Sequence, residues 1–303
     1  MDSPAPLHLA HVRRVLLWLP LLGLTLAALL TQGHWEGVWL AEWTGAPYPI
    51  ALAPGIVLAV FTGAFLCEFL DTSLGMGFGT LMAPLLLIIG FEPLDIVPAV
   101  LMSELLTGLA AGVLHQHDGN IDLVGDRRAR RTLGLLAALS VVGAVAAVLF
   151  GMQVSNPWVA SGGIALVLIL GALTLAGARR PVRFRGGGIL LIGLVAAFSK
   201  GVSGGGYGPL VTSGQVVCGV PAHQAVAITS IAEALTCLVV LMGYLAVKGA
   251  PDWSLTLPLI GGALLAVPWA TPAVRALRES WLRAAIGALT LVLGLVFLVT
   301  LLG

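Results

Sequence analysis

The chain has 303 residues, 58% of them hydrophobic and only 10% charged, with a formal net charge of +1 and a mean hydropathy of +1.03. A soluble globular domain carries roughly 25% charged residues, so this composition excludes one and indicates a polytopic helical membrane protein. The charge balance gives no reason to expect a nucleic-acid partner; the partners expected are the lipid bilayer and a small solute.

Arg13 and Arg14 precede an apolar run from Val15 to Leu30, with no A-x-A cleavage site after it. The expectation is an uncleaved first helix rather than a signal peptide. The loop at 32–49 holds Glu36, Glu42, Trp35, Trp39 and Trp43 and no arginine, which suits an external segment anchored at the lipid interface. Further apolar segments lie near 50–71, 74–90, 94–114, 132–151, 157–178, 187–201, 204–219, 222–247, 254–272 and 284–302. Those at 74–90 and 204–219 are short and rich in glycine.

All 13 arginines fall into four groups: Arg13–Arg14, Arg127–Arg131, Arg179–Arg185 and Arg275–Arg283. The positive-inside rule puts every group in the cytoplasm. That is met when the two short segments cross the membrane rather than turn back, giving eleven crossings and a cytoplasmic N-terminus in the cytoplasmic (cell inner) membrane.

Shifting the sequence by 129 positions places Gly75, Gly77, Gly79 and Gly90 on Gly204, Gly206, Gly208 and Gly219. Without a gap, Glu104 falls on Glu233 and Thr107 on Thr236. Nine identities in 37 positions is modest, but they include glycines and a glutamate, the residues least expected by chance in apolar sequence. The reading is a duplicated unit, residues 50–178 and 187–303, after an N-terminal part at 1–49. Five spans per unit is an odd number, so the second copy is inverted. The fold class expected is all-α integral membrane: two inverted five-span repeats with glycine-broken helices, plus an extra N-terminal helix.

Each glycine cluster has two readings. It can serve close helix packing, or it can unwind and turn backbone N–H groups toward a ligand, which buried backbone alone permits. The start of a half-helix favours an anion. The substrate-binding candidates are therefore Gly75, Gly77 and Gly79 in the first copy, and Ser199, Lys200, Ser203, Gly204, Gly205, Gly206 and Tyr207 in the second.

Lys200 lies far from any charged loop, and its repeat partner is Asp71. It either pairs with Asp71 across the repeats or supplies positive charge to an anion; a charge in the bilayer costs at least ~2.5–3.5 kcal/mol, so an idle one is improbable. Glu104 and Glu233, each three residues before Thr107 or Thr236, either carry a proton during transport or hydrogen-bond the broken helix of their own repeat. Glu68 and Asp71, three apart on one helix, complete the coupling or gating candidates.

The remaining candidates have plain readings. Cys67, Cys218 and Cys237 lack paired spacing and are small core residues. His115 and His117 have no third ligand at metal spacing, so a solvated loop is expected. His223 beside Pro221 belongs to a helix cap. No nucleophile elbow, Walker loop or H-E-x-x-H occurs, so no enzyme activity, cofactor or metal is expected.

The segments GMGFGTLMAPLLLIIG (75–90) and KGVSGGGYGPLVTSG (200–214) resemble the TauE/SafE permease family of sulfite and organosulfur anion exporters. Gly90-Phe-Glu-Pro93, shortened to Gly219-Val-Pro221 in the second copy, and HxxxGNID (115–122) resemble further elements of that family. The resemblance covers about residues 50–302. It implies a permease exporting a small anion, a sulfur oxyanion or organosulfonate, by alternating access; it leaves the oligomeric state open. Two features depart from the family pattern: the added N-terminal helix with its Trp-rich loop, and acidic Glu68 and Asp71 where small or apolar residues are usual. A cation transporter using the intramembrane carboxylates, or a non-transporting membrane subunit, are the rival readings.

Overall fold

A computed structural model describes residues 54–150, 157–179, 186–203 and 207–302, with backbone alone at 198–203 and a few helix ends. The expected N-terminal helix, the Trp-rich loop and Gly204–Gly206 lie outside the described residues, as do the side chains of Ser199, Lys200 and Ser203.

Among the described residues the chain forms ten helices and no strand. They are α1 (Pro54–Leu74), α2 (Phe78–Ile89), α3 (Pro93–His117), α4 (Arg127–Phe150) and α5 (Pro157–Ala176). Then follow α6 (Gly186–Ser203), α7 (Tyr207–Val217), α8 (Ala222–Lys248), α9 (Trp253–Ala276) and α10 (Glu279–Leu302). Five of the described helical stretches are long and apolar enough to cross a membrane. The polarity is reversed relative to a soluble protein. Leu58, Ile88, Val113, Leu191 and Val299 are exposed, while Glu68, Ser103, Thr212, Gln215 and Thr290 are buried. Only a hydrocarbon solvent makes that arrangement favourable.

Side-chain contacts fix the helix directions. In α3 and α8, Cys237 reaches Glu104 and Gly108 faces Ser230 and Ala234, so the two helices run antiparallel. In α5 and α10, Gly287 faces Leu175 and Gly294 faces Leu168, again antiparallel. Polar contacts then tie several helix ends together. Arg275 donates to the Gly119 carbonyl, Gln224 to Asp126, and the Ala222 N–H to Glu279. The end of α3, start of α4, end of α5, starts of α8 and α10 and end of α9 therefore share one end of the bundle. The described arginines Arg127–Arg131, Arg179, Arg275, Arg278 and Arg283 all lie there.

The short helices belong to two hairpins. A side-chain carbon at Gly63 would meet Met82, and Gly77 lies beside Cys67 and Leu70, so α2 folds back antiparallel on α1. Both outer ends of this hairpin, near Ile56 and Phe91, lie at the end opposite the arginines. Gly188 lies beside Cys218 and Gly214 beside Ile192, so α7 folds back on α6, with its outer ends at the arginine end. Gly90 and Gly219, 129 positions apart, close α2 and α7 in the same way. Both adopt positive φ (107° and 88°), and the next N–H reaches back to Leu86 or Gln215. Only glycine takes this conformation without strain.

The helix neighbours correspond as well. α1 packs on α9 as α6 packs on α4, and α3 packs on α9 as α8 packs on α4.

One expectation needs correction. His115 is not in a solvated loop but fully buried in the last turn of α3. Its Nδ1 pairs with Asn120 Nδ2 at 2.9 Å, and Asn120 also donates to the Thr271 carbonyl at 2.9 Å. The Gly119-Asn120 segment clamps the α3–α4 connection onto α9, which is why it is buried. His117 is exposed as expected, and His223 caps the α8 start against Glu279 at 2.8 Å.

Candidate functional site

The two hairpins enter from opposite ends, and the start of α7 in the second touches the turn between α1 and α2 in the bundle interior. The tip of the first is Gly75-Met76-Gly77, buried throughout, with φ of +73° at Gly75 and +145° at Gly77. A side chain on Gly208 would stand 2.5 Å from the Gly75 carbonyl oxygen and 2.7 Å from Met76 Cα. One turn further along α7, Thr212 Oγ1 donates to that same Gly75 carbonyl at 2.7 Å. Thr229 Oγ1 lies 2.9 Å from both Thr212 Oγ1 and Gln215 Nε2. Ser213 pairs with Thr290 at 2.5 Å, and Thr290 also contacts Met76 Sδ at 3.2 Å. The Gly75 carbonyl is thus satisfied from the other hairpin, as irregular backbone inside a membrane must be.

The start of α2 faces carboxylates. Its first N–H, from Phe78, donates to Asp71 Oδ1 at 3.3 Å; the next, from Gly79, donates to Glu104 Oε1 at 3.0 Å. Glu104 Oε2 accepts from Cys237 Sγ of α8 at 3.3 Å. Glu68, almost wholly buried, accepts from Thr72 Oγ1 at 2.7 Å and Thr107 Oγ1 at 3.1 Å. It lies within electrostatic reach of Glu104 and Glu233. The helix dipole and free N–H groups of a helix start attract negative charge; here the chain supplies it.

The structure therefore brings Glu68, Asp71, Gly75, Gly77, Gly79, Glu104 and Thr107 into one buried region. The Gly79 N–H is held by Glu104, the geometry of the structural reading of that glutamate. Glu233 is buried. Thr236 is buried and donates to the Ala232 carbonyl of its own helix. Tyr207 is fully buried, with its hydroxyl 2.6 Å from Ser140 Oγ of α4. Among the described residues no group of three His, Cys, Asp or Glu could hold a metal ion. Thr212, Gln215, Thr229 and Ser140 were not singled out from the sequence, although a glutamine inside an apolar segment is a usable signal.

An apolar exterior around a buried polar interior, where the α1–α2 turn meets the start of α7, defines a membrane-embedded bundle rather than a soluble domain. The family model for the sulfite exporter TauE/SafE matches residues 59–297, and the chain belongs to that family. It is also similar to the "Probable membrane transporter protein YtnM" of Bacillus subtilis (strain 168). The identity is 26% over 225 residues, covering 70% of this chain and 72% of that protein. No solved structure matches it.

Proposed function

We propose that this permease exports a small anion, sulfite or an organosulfur anion, across the cytoplasmic membrane by alternating access. The protein on this reading is two inverted five-helix repeats, α1–α5 and α6–α10, with the arginine end in the cytoplasm. The antiparallel pairing of α3 with α8 and of α5 with α10 supports it, since each pair joins equivalent helices. The observation that carries the reading is the meeting, in a buried polar centre, of the α1–α2 turn with the start of α7 from the hairpin that enters at the opposite end. An ion held there reaches one end or the other by rocking one repeat on its partner. The α2 start already attracts anionic groups, and Lys200 at the α6 end adds the positive charge a free anion requires. Outward movement of an anion from a negative-inside cell is favoured by about 2.3 kcal/mol per charge per 100 mV.

Buried Glu68, Asp71 and Glu104 favour a second reading, a cation carrier. These carboxylates accept from N–H, O–H and S–H donors of the chain itself, which supports an anchoring role for them. Proteoliposomes loaded with sulfite separate the two. Lys200→Ala should abolish sulfite efflux while the protein remains folded; undiminished efflux from that variant overturns the anion site.

A further inference from the structure

The packing divides the molecule differently from its sequence. Helices α1, α2, α3 and α9 share one buried apolar core, to which Ala64, Phe78, Val100 and Leu259 belong. A second core joins α4, α5, α6, α7, α8 and α10 through Leu136, Leu170, Ile192, Leu210, Ala225 and Ile286. Met76 and Val274 reach into this second core from the first group. Each group therefore holds helices from both sequence units: α9 sits with α1–α3, and α4 and α5 sit with α6–α8 and α10. The exchange is close. A side-chain carbon on Gly262 of α9 would run into the Phe61 carbonyl of α1, and one on Gly193 of α6 would stand 2.7 Å from Leu136 of α4. The two groups meet along α3 and α8, where Gly108 and Gly112 face Ser230, Ile231 and Ala234, and at the α1–α2 turn. Bonds across this seam include Cys237 Sγ to Glu104 Oε2 at 3.3 Å, Thr212 Oγ1 to the Gly75 carbonyl at 2.7 Å and Thr290 Oγ1 to Met76 Sδ at 3.2 Å. A smaller apolar cluster with Leu101, Ala144 and Val240 also lies on it.

We infer that the parts that rock during transport are these two packing groups, with the α3–α8 seam as the sliding surface, and not the two units cut from the sequence. This rests on the alternating-access reading above and refines which bodies move. A core packed to the density of an organic crystal moves as a block. Hydrogen bonds between helices inside a membrane are weak singly and can be exchanged. A motion that parted α1 from α9 and α4 from α6 would open both cores. A motion along α3 and α8 exchanges the seam bonds and shears one small cluster. The chain passes between the groups in the connections after α3, α8 and α9. Two of these contain a glycine at positive φ, Gly119 at 72° and Gly249 at 86°, places where a hinge can absorb the change.

Two engineered disulfides in the full chain separate the two divisions. Side-chain carbons at Gly193 and Leu139 would stand 3.6 Å apart, and those at Gly112 and Ile231 3.8 Å, both within the span of about 3.5–4.5 Å that a disulfide bridges. Each pair joins one sequence unit to the other, but only the second crosses the seam. In proteoliposomes loaded with sulfite, the oxidised Leu139→Cys/Gly193→Cys protein should keep its efflux. The oxidised Gly112→Cys/Ile231→Cys protein should lose it and regain it on reduction. Thiol counts on denatured protein after the assay confirm each disulfide, because sulfite can cleave an exposed one. Should a pair fail to fold, spin labels on lipid-facing positions test the same division. Leu58→Cys with Trp269→Cys lies within the first group, and Leu58→Cys with Val142→Cys spans the two; all three residues are exposed. Added sulfite should shift the second distance and leave the first unchanged. Loss of efflux with both disulfides, efflux that survives the Gly112–Ile231 link, or equal shifts in both distances overturns this inference and leaves the permease reading standing. Folded wild type that moves neither sulfite nor an organosulfonate overturns the anion reading, and the inference falls with it.

Discussion

Replacing Gly208 with alanine tests whether the contact between the hairpin tips is as close as the geometry gives it. The added carbon would stand 2.5 Å from the Gly75 carbonyl oxygen, 2.7 Å from Met76 Cα and 2.9 Å from Met76 Cβ. The first two are backbone atoms and cannot rotate away. Reaching ordinary contact at 3.4 Å requires the two tips to separate by about 0.9 Å. That separation costs about 1–3 kcal/mol as overpacking. It also lengthens the 2.7 Å bond from Thr212 to the Gly75 carbonyl, worth about 0.5–1.5 kcal/mol. The expected loss is therefore about 2–4 kcal/mol. Gly134→Ala on exposed α4 is the control. Nothing lies within 4 Å of its added carbon, and alanine gains up to about 1 kcal/mol of helix propensity there. Thermal unfolding of both variants in one detergent should put Gly208→Ala well below wild type and Gly134→Ala at or above it. Equal unfolding temperatures would refute the contact, and with it the meeting of the two breaks.

The other predictions use the same preparation. Glu104→Ala leaves the buried Gly79 N–H without its acceptor and should cost about 1–3 kcal/mol. Glu104→Gln retains an acceptor oxygen and should unfold much closer to wild type; equal losses would argue against the bond. Asp126 accepts the N–H groups of Ala129 and Arg128 at the α4 start, and these hold its carboxyl below the usual carboxylate range. Its stabilising contribution is complete above the unfolded value of about 3.9 and fades as pH falls through the lower folded value. The stability gap between wild type and Asp126→Ala should thus narrow in acid titration of unfolding, and a gap that widened toward low pH would contradict the cap. For orientation, Cys67, Cys218 and Cys237 are buried, so Glu92→Cys and Val124→Cys report on opposite ends of the bundle. A membrane-impermeant maleimide should label Glu92→Cys on intact cells and Val124→Cys only after permeabilisation.

The parts legible in the sequence were those with a strong physical signature. Continuous apolar runs located the helices, because no other sequence is stable in hydrocarbon. Phe78 and Tyr207, 129 positions apart, both begin short helices, as Pro93 and Ala222 begin the long ones that follow, while the apolar runs alone set the short segments' starts at 74 and 204. Arginine grouping placed Arg127–Arg131 and Arg275–Arg283 at one end, since every uncompensated charge avoids the bilayer. The burial of His115 was not legible. Its partners are Asn120, nearby, and through it the Thr271 carbonyl 151 positions beyond, and no local pattern encodes a contact at that range.

The glycine clusters show where pattern stops and geometry begins. Their spacing left packing and unwinding both open, and the structure shows a chain reversal and a close approach at one place. Gly75 and Gly77 have the positive φ of a chain reversal, while Gly208 gives Gly75 room to approach. From the sequence Asp71 reads as a gating candidate and as the countercharge of Lys200. The structure adds its 3.3 Å contact with the Phe78 N–H, which places its carboxylate at a helix start. The same start would draw in any anion small enough to reach it.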